Sequence, residues 1–555
     1  MRSNKPQAQL VLAALKVVQV EDIVISPGSR NAPLVIEAIG TKNFNLHSII
    51  DERSAAYVAL GIAQSKQKPV ALFCTSGSAL LNYAPALAEA YYMKIPLIVI
   101  SADRPEYLIE MADGQTIKQP GALQNVVKLS SVLGSSENVN DTNIQQKVLS
   151  SLTLASTPPL GPVHLNIHFD EPLYQKTIDN LIGDFSVQLN PLESTGVEKS
   201  TLEIDELLGA EKKIILLVGQ GVSNPKDISL IKKIAELNLA LILFETTSNL
   251  GDVNGINAID VFLEGLTKAE KKKFEPELLI TYKTNVVSKK VKVWLRNGDL
   301  KNHIHIGDEH LILDTYQKIT HQKNGNLHKV ISPEKLKGNK HFVLEAKKRF
   351  AEIKRIANNY SSPFSDFKVF KNLGKVLPKG SLLMAGNSAP IRYLQLFDEF
   401  HNFKNFCNRG TSGIEGTIST AVGVCIANPD KNVFVLIGDI SFFYDSNAFY
   451  NPALPKNLKV ILVNNAGGGI FRIIEGPKSV NEFEKYIETN HSFKAKGIAE
   501  SFNLKYFLVT NEMEFEAQTT RLIKSNSAGV LEIITPREKN DEILKGFFSA
   551  LKSND

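Results

Sequence analysis

The feature that most constrains this chain is the way its apolar runs end. Short stretches rich in Val, Ile and Leu alternate with helix-length segments along the 555 residues. In the first third these runs are Asp22–Ser26, Pro69–Thr75 and Leu97–Ser101, each closing on a small or polar residue that leads into a helical pattern. Runs this short and this continuously apolar mark strands buried on both faces, the condition of a parallel sheet covered by helices. The same rhythm returns at Ile214–Gly219, Ala240–Phe244, Leu278–Tyr282 and Val291–Leu295. It returns again at Ser381–Ala385, Val433–Ile437, Val460–Val463 and Val530–Ile534. The expected fold is α/β, with three doubly wound, mainly parallel-sheet domains.

The length suits about three domains. A polar, weakly patterned stretch over Asp179–Glu211 reads as a linker, and a second weak region lies around His321–Asn339. The expected domains are 1–185, 186–340 and 341–555. No short-period repeat or low-complexity segment is visible.

Composition excludes several classes. Hydrophobic residues make up 43% and charged residues 22%, ordinary for a globular protein. The net charge of +5 is mild for this length, and Lys271-Lys272-Lys273 and Lys289-Lys290 are too short to make a nucleic-acid patch. Cys74, Cys407 and Cys425 are odd in number and widely spaced, which fits a reducing compartment and no disulfide framework. The opening MRSNKPQAQLVLAAL reads as an amphipathic helix, not a secretory signal. No apolar run is long enough to span a bilayer, so a cytoplasmic location is expected.

Chemistry concentrates at the strand ends. The third domain reads VFVLIGDISFFYDSNAFYNPALPKNLKVILVNNAGGGIF from Val433 to Phe471. One strand delivers Gly438-Asp439 to its carboxyl end, and a second delivers Asn464-Asn465 and the run Gly467-Gly468-Gly469. Magnesium takes hard oxygen ligands and is commonly shared with substrate phosphates. Asp439 can give a carboxylate, Asn465 an amide oxygen and Gly467 a backbone carbonyl. Glycines let backbone approach a diphosphate closely. Ser441, near the helix start, can offer a hydroxyl while helix amides face the anion. The plainer reading, two ordinary strand-to-loop turns, accounts for each element alone but not for the joint pattern.

In the first domain Glu52 follows a short apolar strand and opens a helix of small residues, HSIIDERSAAYVALGIA. An acid in an apolar, strand-end setting suits proton sharing. Asp51 and Glu52 are also what a helix N-terminus favours on electrostatic grounds. Further clusters at strand ends are SPGSRNAP (Ser26–Pro33), TSGSA (Thr75–Ala79) and SADRP (Ser101–Pro105).

The Asp439–Asn465 segment resembles the diphosphate-binding signature of the thiamine-diphosphate-dependent enzymes, a Gly-Asp-Gly followed later by Asn-Asn; here Ile440 replaces the second Gly. The set SPGSRNAPL, DERSAAYVALGIA, TSGSALLNYAPALAEA, SADRPEYL, GQTIKQPG, NRGTSGIEGTISTAVG and GDISFFYDSNA is similar to the menaquinone-pathway branch of that family. The resemblance implies pyrimidine-binding, central and diphosphate-binding domains in that order. The implied cofactors are thiamine diphosphate and Mg2+ (or Mn2+). The implied reaction is decarboxylation of 2-oxoglutarate and 1,4-addition of the succinyl unit to isochorismate, in a homodimer or homotetramer with its site between subunits.

It also implies roles by motif. Glu52 sits against the cofactor's aminopyrimidine ring, and Ile414 wedges between the two cofactor rings. Ser29, Arg30 and Gln115 bind isochorismate. Ser388, Arg392 and Arg409 hold substrate carboxylates, and Lys289 and Lys290 of the middle domain reach the substrate. Asn31, Gly114 and Lys290 depart from the usual pattern of the branch. The residues themselves support anionic substrates: Arg30, Arg104, Arg392 and Arg409 fall at loop or helix-start positions, and Arg suits bidentate carboxylate recognition. None of the eleven histidines falls in a matched motif, and His47 and His491 read as structural or surface groups. The weaker alternatives are an acetolactate-synthase-like carboligase and a silent scaffold on the same fold.

Overall fold

The computed structural model describes residues 1–183, 185, 201–308, 314–474 and 476–552. Three sheets organise them, and every pairing inside the three is parallel. The first sheet holds β1 (Asp22–Ile25), β2 (Asn45–Ser48), β3 (Val70–Cys74), β4 (Leu97–Asp103), β5 (Ser130–Leu133) and β6 (Val163–His168), in the order β2-β1-β3-β4-β6-β5. The second holds β7 (Ile214–Val218), β8 (Leu241–Phe244), β9 (Leu278–Tyr282), β10 (Asn302–Ile306) and β11 (His321–Lys323), in the order β8-β7-β9-β10-β11. The third holds β12 (Leu382–Ala385), β13 (Lys404–Phe406), β14 (Val433–Gly438), β15 (Leu458–Asn464), β16 (Lys505–Val509) and β17 (Gly529–Ile534), in the order β13-β12-β14-β15-β17-β16.

The first and third sheets therefore share one strand order. No such repeat is visible in the residues, because a sheet's topology depends on which runs pair and not on which side chains fill them. In each sheet the order turns back on itself beside its first strand. Crevices for ligands open at such switch points, outside the carboxyl ends of the strands. The first crevice lies between β1 and β3, where Ser26 and Thr75 begin their loops. Its counterpart lies between β12 and β14, where Gly386 and Asp439 begin theirs.

The two related units meet through equivalent helices. α1 (Glu52–Lys66) follows β2, and a helix over Thr417–Ala427 follows β13. A Cβ built on Gly61 would lie 2.0 Å from the Thr420 carbonyl oxygen, and one on Gly423 would lie 2.0 Å from that of Val58. The backbones touch there, which explains the small-residue run of α1. Larger residues at either glycine would force the helices apart, at about 1–3 kcal/mol or more. Burial is continuous across this contact, from Leu72 and Val99 to Val435 and Val460. The middle sheet is welded to the third in the same way, from Ile215 and Leu279 to Phe434 and Leu531.

One expected strand is a helix. Val291–Leu295 lies inside α2 (Lys289–Asn297). The alternation Val291-x-Val293-x-Leu295 suggests a strand, but Val291, Trp294 and Leu295 are buried while Val293 is 55% exposed. That is the i, i+3, i+4 stripe of a helix, and Ser288 caps it by accepting from the Val291 amide at 3.1 Å. The expected N-terminal helix forms at Pro6–Val17, and a long helix over Lys340–Asn359 follows the middle sheet. Of the expected linker, residues 184 and 186–200 lie outside the described residues, and Thr201–Gly209 is helical. Among the described residues, no helix is long and apolar enough to cross a membrane.

Candidate active site

The strand-end cluster of the third sheet assembles as its chemistry requires. Asp439 is buried, the first residue of a short helix over Asp439–Tyr444. Its Oδ1 accepts from the Ile440 amide at 2.7 Å and its Oδ2 from the Gly467 amide at 3.0 Å. The bond from Gly467 ties the ends of β14 and β15 together. Gly467 has φ +156°, and a Cβ there would press on the Glu488 carbonyl oxygen at 3.1 Å. The turn after β15 therefore needs glycine at this point.

Asn465 donates from Nδ2 to Asp366 Oδ2 at 2.9 Å. A carboxylate can only accept, so the amide nitrogen is fixed toward Asp366 and the amide oxygen is turned away from it. Asp366 is itself held: its other oxygen accepts from Thr535 Oγ1 at 2.6 Å. Burial raises its pKa to about 6, and the nearby charge of Asp439 adds to the rise. A carboxylate and an oriented amide oxygen beside the Gly467 turn, whose carbonyl accepts from the Gly469 amide at 2.9 Å, are hard oxygen donors of the kind a cation shared with a diphosphate takes. Among the described residues there is no cluster of three or more His, Cys, Asp or Glu that would form a protein-only metal cage.

Ser441 is placed differently from its expected use. Its hydroxyl donates to the Ile414 carbonyl oxygen at 2.6 Å, so it fixes the loop carrying Ile414. That loop is held from two more sides. Asn387 donates to the carbonyls of Asn408 and Gly413 at 2.7 and 2.6 Å. Glu89, buried in the first unit, accepts from the amides of Gly410 and Thr411, both at 2.7 Å.

Ser388, Arg392 and Arg409 converge beside this loop. Ser388 adopts φ +72°, a strained conformation for a residue with a side chain. Its carbonyl accepts from Arg392 Nη1. Arg409 Nη1 donates to Asn387 Oδ1 at 2.8 Å, while its Nε is buried without a partner. Burial lowers the Arg392 pKa, and the like charge of Arg409 lowers it further. Two partly buried guanidiniums that repel one another are an anion site in waiting.

Lys289 and Lys290 reach the same place from the middle unit. With Arg392 they line a cavity of about 460 Å³, walled on its apolar side by Ile470, Ile474 and Phe548. Lys290 pairs with Glu264 and lies 4.9 Å over the Phe548 ring.

The first sheet's crevice gathers Ser29, Arg30, Arg104 and Gln115. Ser29 and Gln115 are exposed. Arg30 is buried, donating to the Phe169 carbonyl at 3.0 Å with Glu171 3.3 Å away. Burial lowers its pKa, and the neighbouring Arg104 adds to that. Arg104 bonds the Gly114 carbonyl at 2.8 Å and pairs with Asp113 at 3.0 Å. Arg104 thus stiffens the segment that presents Gln115, while Arg30 is held by the chain after β6.

Glu52 is separated from the capping role it could have had. Asp51 is the cap, accepting from the Ser54 amide at 2.9 Å and from Asn447 Nδ2 at 2.7 Å. That leaves the half-buried Glu52 carboxyl for other work. Burial raises its pKa, and Asp51 adds to the rise. Burial raises the pKa of Cys74 and Tyr83 beneath it, and the charge of Glu52 adds to the rise. Among the described residues, no hydrogen bond or ion pair joins Glu52 to Asp439, Asn465 or Gly467 within the chain.

Four positions were not singled out as site residues from sequence. Asp366, Asn387 and Glu89 act on the site through other groups; Asp366 and Glu89 lie far in sequence from the residues they hold, and Asn387 directly precedes Ser388. His491, expected to be structural or superficial, is buried against the cluster: its Nε2 lies 3.5 Å from Asp439 Oδ2. The Phe493 amide donates to its Nδ1 at 3.1 Å, so a neutral ring carries its proton on the side of Asp439. Its chain neighbours carry no motif that would mark it.

Two crevices on sheets of identical order, one with an acid at a helix start and one with the Asp439 cluster, define a thiamine pyrophosphate enzyme. Family models agree: the N-terminal TPP binding domain of thiamine pyrophosphate enzymes matches residues 7–130, and the C-terminal TPP binding domain matches residues 388–533. The chain belongs to the 2-succinyl-5-enolpyruvyl-6-hydroxy-3-cyclohexene-1-carboxylate synthase family, a group of transferases. It is 40% identical to the synthase of that name from Flavobacterium johnsoniae over 98% of both chains. It is 41% identical to the one from Flavobacterium psychrophilum, covering 98% of this chain and 99% of the relative. With the Bacteroides thetaiotaomicron synthase it shares 35% over the full length of both.

Proposed function

We propose that this protein decarboxylates 2-oxoglutarate and adds the succinyl unit to isochorismate, using thiamine diphosphate and Mg2+ or Mn2+. The observation that carries this reading is the cationic cavity. Arg392, Lys289 and Lys290 come from two units to line it, and Arg392 feels the like charge of Arg409 nearby, which suits substrates bearing several carboxylates. Thiamine diphosphate, when bound, supplies the nucleophile and the electron sink that decarboxylation requires.

The chain's own residues do the rest. Asp439, Asn465 and the Gly467 carbonyl would hold the cation that neutralises the diphosphate. Ile414, on a loop fixed by Ser441 and Asn387, would lie against the cofactor's rings. Glu52 would hold a proton at the aminopyrimidine ring. Arg392 and Arg409 hold the acid substrate's carboxylates, with Ser388 beside them. Ser29, Arg30 and Gln115, braced by Arg104, orient the acceptor.

From the family resemblance we infer a homodimer or a larger homo-oligomer whose sites lie between subunits. The domain limits follow from the same reading: a pyrimidine-binding unit over 1–185, a central unit over 186–340 and a diphosphate-binding unit over 341–555.

The testing experiment supplies purified protein with thiamine diphosphate, Mg2+ and 2-oxoglutarate, with and without isochorismate, and follows carbon dioxide and isochorismate. Isochorismate loss that needs both the cofactor and 2-oxoglutarate is expected. Decarboxylation that leaves isochorismate untouched would overturn the acceptor. In the same assay Arg392→Ala is expected to raise the KM for an acidic substrate about 10- to 100-fold without unfolding the protein. An unchanged KM would remove Arg392 from the carboxylate site.

A further inference from the structure

The two lysines of the cavity stand at the start of α2, and what aims them is a carboxylate far away in sequence. Glu245 follows β8 and is 2% exposed. Its Oε2 accepts from the Val287 amide at 2.7 Å and its Oε1 from the Ser288 amide at 2.8 Å. Those are the two residues immediately before Lys289. Ser288 also caps α2, so the bond to its amide sets the origin of the helix that carries both lysines.

The next residue grips the opposite wall. The Thr246 amide donates to Gln395 Oε1 at 2.9 Å, and Gln395 Nε2 donates to Thr246 Oγ1 at 2.7 Å. Gln395 directly follows the helix over Ala389–Leu394 that carries Arg392. One buried dipeptide thus holds the lysine side and the arginine side of the cavity in a fixed relation.

We propose that Glu245 is a positioning residue for the acidic substrates: through the Val287 and Ser288 amides it aims Lys289 and Lys290 at the cavity that Arg392 enters. This rests on the substrate reading of that cavity. A shape-filling role would not need a charge here. Two successive amides pointed at one carboxylate are bonds an apolar side chain cannot replace, and a buried acid is retained only where it is well partnered.

Titration gives the idea a signature. Burial raises the Glu245 pKa to about 7; Asp260 pushes the same way, and Arg409 opposes it. Lys292, Tyr316, Arg392 and Cys407 also feel its charge. Below about pH 7 a proton must sit on one of the two oxygens that accept the amides. The substrate carboxylates stay ionised there, since free carboxyls titrate near pH 4. The KM for the acidic substrates is therefore expected to rise as pH falls below about 7.

The experiment is steady-state kinetics of the full enzyme with thiamine diphosphate, Mg2+, 2-oxoglutarate and isochorismate, from pH 6 to 8.5. Turnover by the unsubstituted protein tests the functional reading itself. Glu245→Gln sets an N–H against one of the two amides. It is expected to raise the KM of at least one substrate about 10-fold or more, with kcat within about 3-fold and thiamine diphosphate affinity unchanged. The acid-side rise in KM should vanish with it. In a Lys289→Met/Lys290→Met background, Glu245→Gln should add no further KM change, because its effect passes through those lysines.

Normal KM in Glu245→Gln, or additive KM effects in that cycle, would overturn the proposal while leaving the activity established. Should Glu245→Gln fail to fold, the lysine double variant decides. An acid-side KM rise present in the unsubstituted enzyme and absent from the double variant supports the role, and the same rise in both overturns it.

Discussion

Glu52→Gln is expected to bind thiamine diphosphate with near-normal affinity and to lose roughly 10²- to 10⁴-fold in kcat, the usual worth of a positioned acid–base group. The structure supplies the reason the loss should be chemical. Asp51, not Glu52, caps α1 and bonds Asn447, so replacing Glu52 leaves the helix start and its contact with the third unit in place. Gln has the same length and can still meet the aminopyrimidine ring, but it cannot take up and return a proton. Burial already raises the Glu52 pKa, which favours a carboxyl that shares its proton over one that stays ionised. Each tenfold in rate is about 1.4 kcal/mol of barrier, so the expected loss is about 3–5 kcal/mol. Binding by titration calorimetry and turnover in the coupled assay separate the two effects. Near-normal turnover in Glu52→Gln would take Glu52 out of the mechanism.

The parts of this molecule that could be read from its residues are those in which the local chain says what it is. Apolar runs gave buried strands such as β1, β3 and β14, where burial on both faces leaves few polar residues to confuse the pattern, but not β6 and β10, whose buried His and Asn residues interrupt the apolar run. Strand ends gave the Asp439 cluster, because a parallel sheet puts ligands there and nowhere else. The middle unit failed where two periods coincide: in Val291–Leu295 alternation and a helical stripe predict opposite structures, and only the capping Ser288 favoured the helix. The shared order of the first and third sheets is not written in any residue. The groups that brace the site stayed hidden for a similar reason. Asp366 acts on Asn465, Glu89 on the Gly410–Thr411 amides and Glu245 on Val287–Ser288, each from a distant strand or helix, and each reads alone as an unremarkable acid. His491 shows the converse hazard, since a histidine outside every motif packs against the central carboxylate.

Asp439→Asn is expected to weaken thiamine diphosphate binding at least about 100-fold at fixed Mg2+, since outer-shell changes alone cost 10- to 100-fold at metal sites. Asn is the informative substitution because Asp439 has two jobs. It also accepts from the Ile440 and Gly467 amides, so Asp439→Ala would open the Gly467 turn as well as remove the charge. Asn keeps the size and one acceptor but sets an N–H against the Ile440 or the Gly467 amide, so the lost charge and one lost bond act together, a smaller disturbance than Ala makes. The affinity should recover in part as Mg2+ is raised. Wild-type affinity with unchanged Mg2+ dependence would refute the metal assignment. The same variant tests where the site lies. Glu52→Gln and Asp439→Asn homodimers should both be nearly inactive. If each site takes Glu52 from one subunit and Asp439 from its partner, a mixed dimer contains one doubly damaged site and one intact site. Equal random mixing should then restore about a quarter of wild-type activity. A site built within one chain would leave every subunit of the mixture defective and restore none, so the recovery decides between the two arrangements.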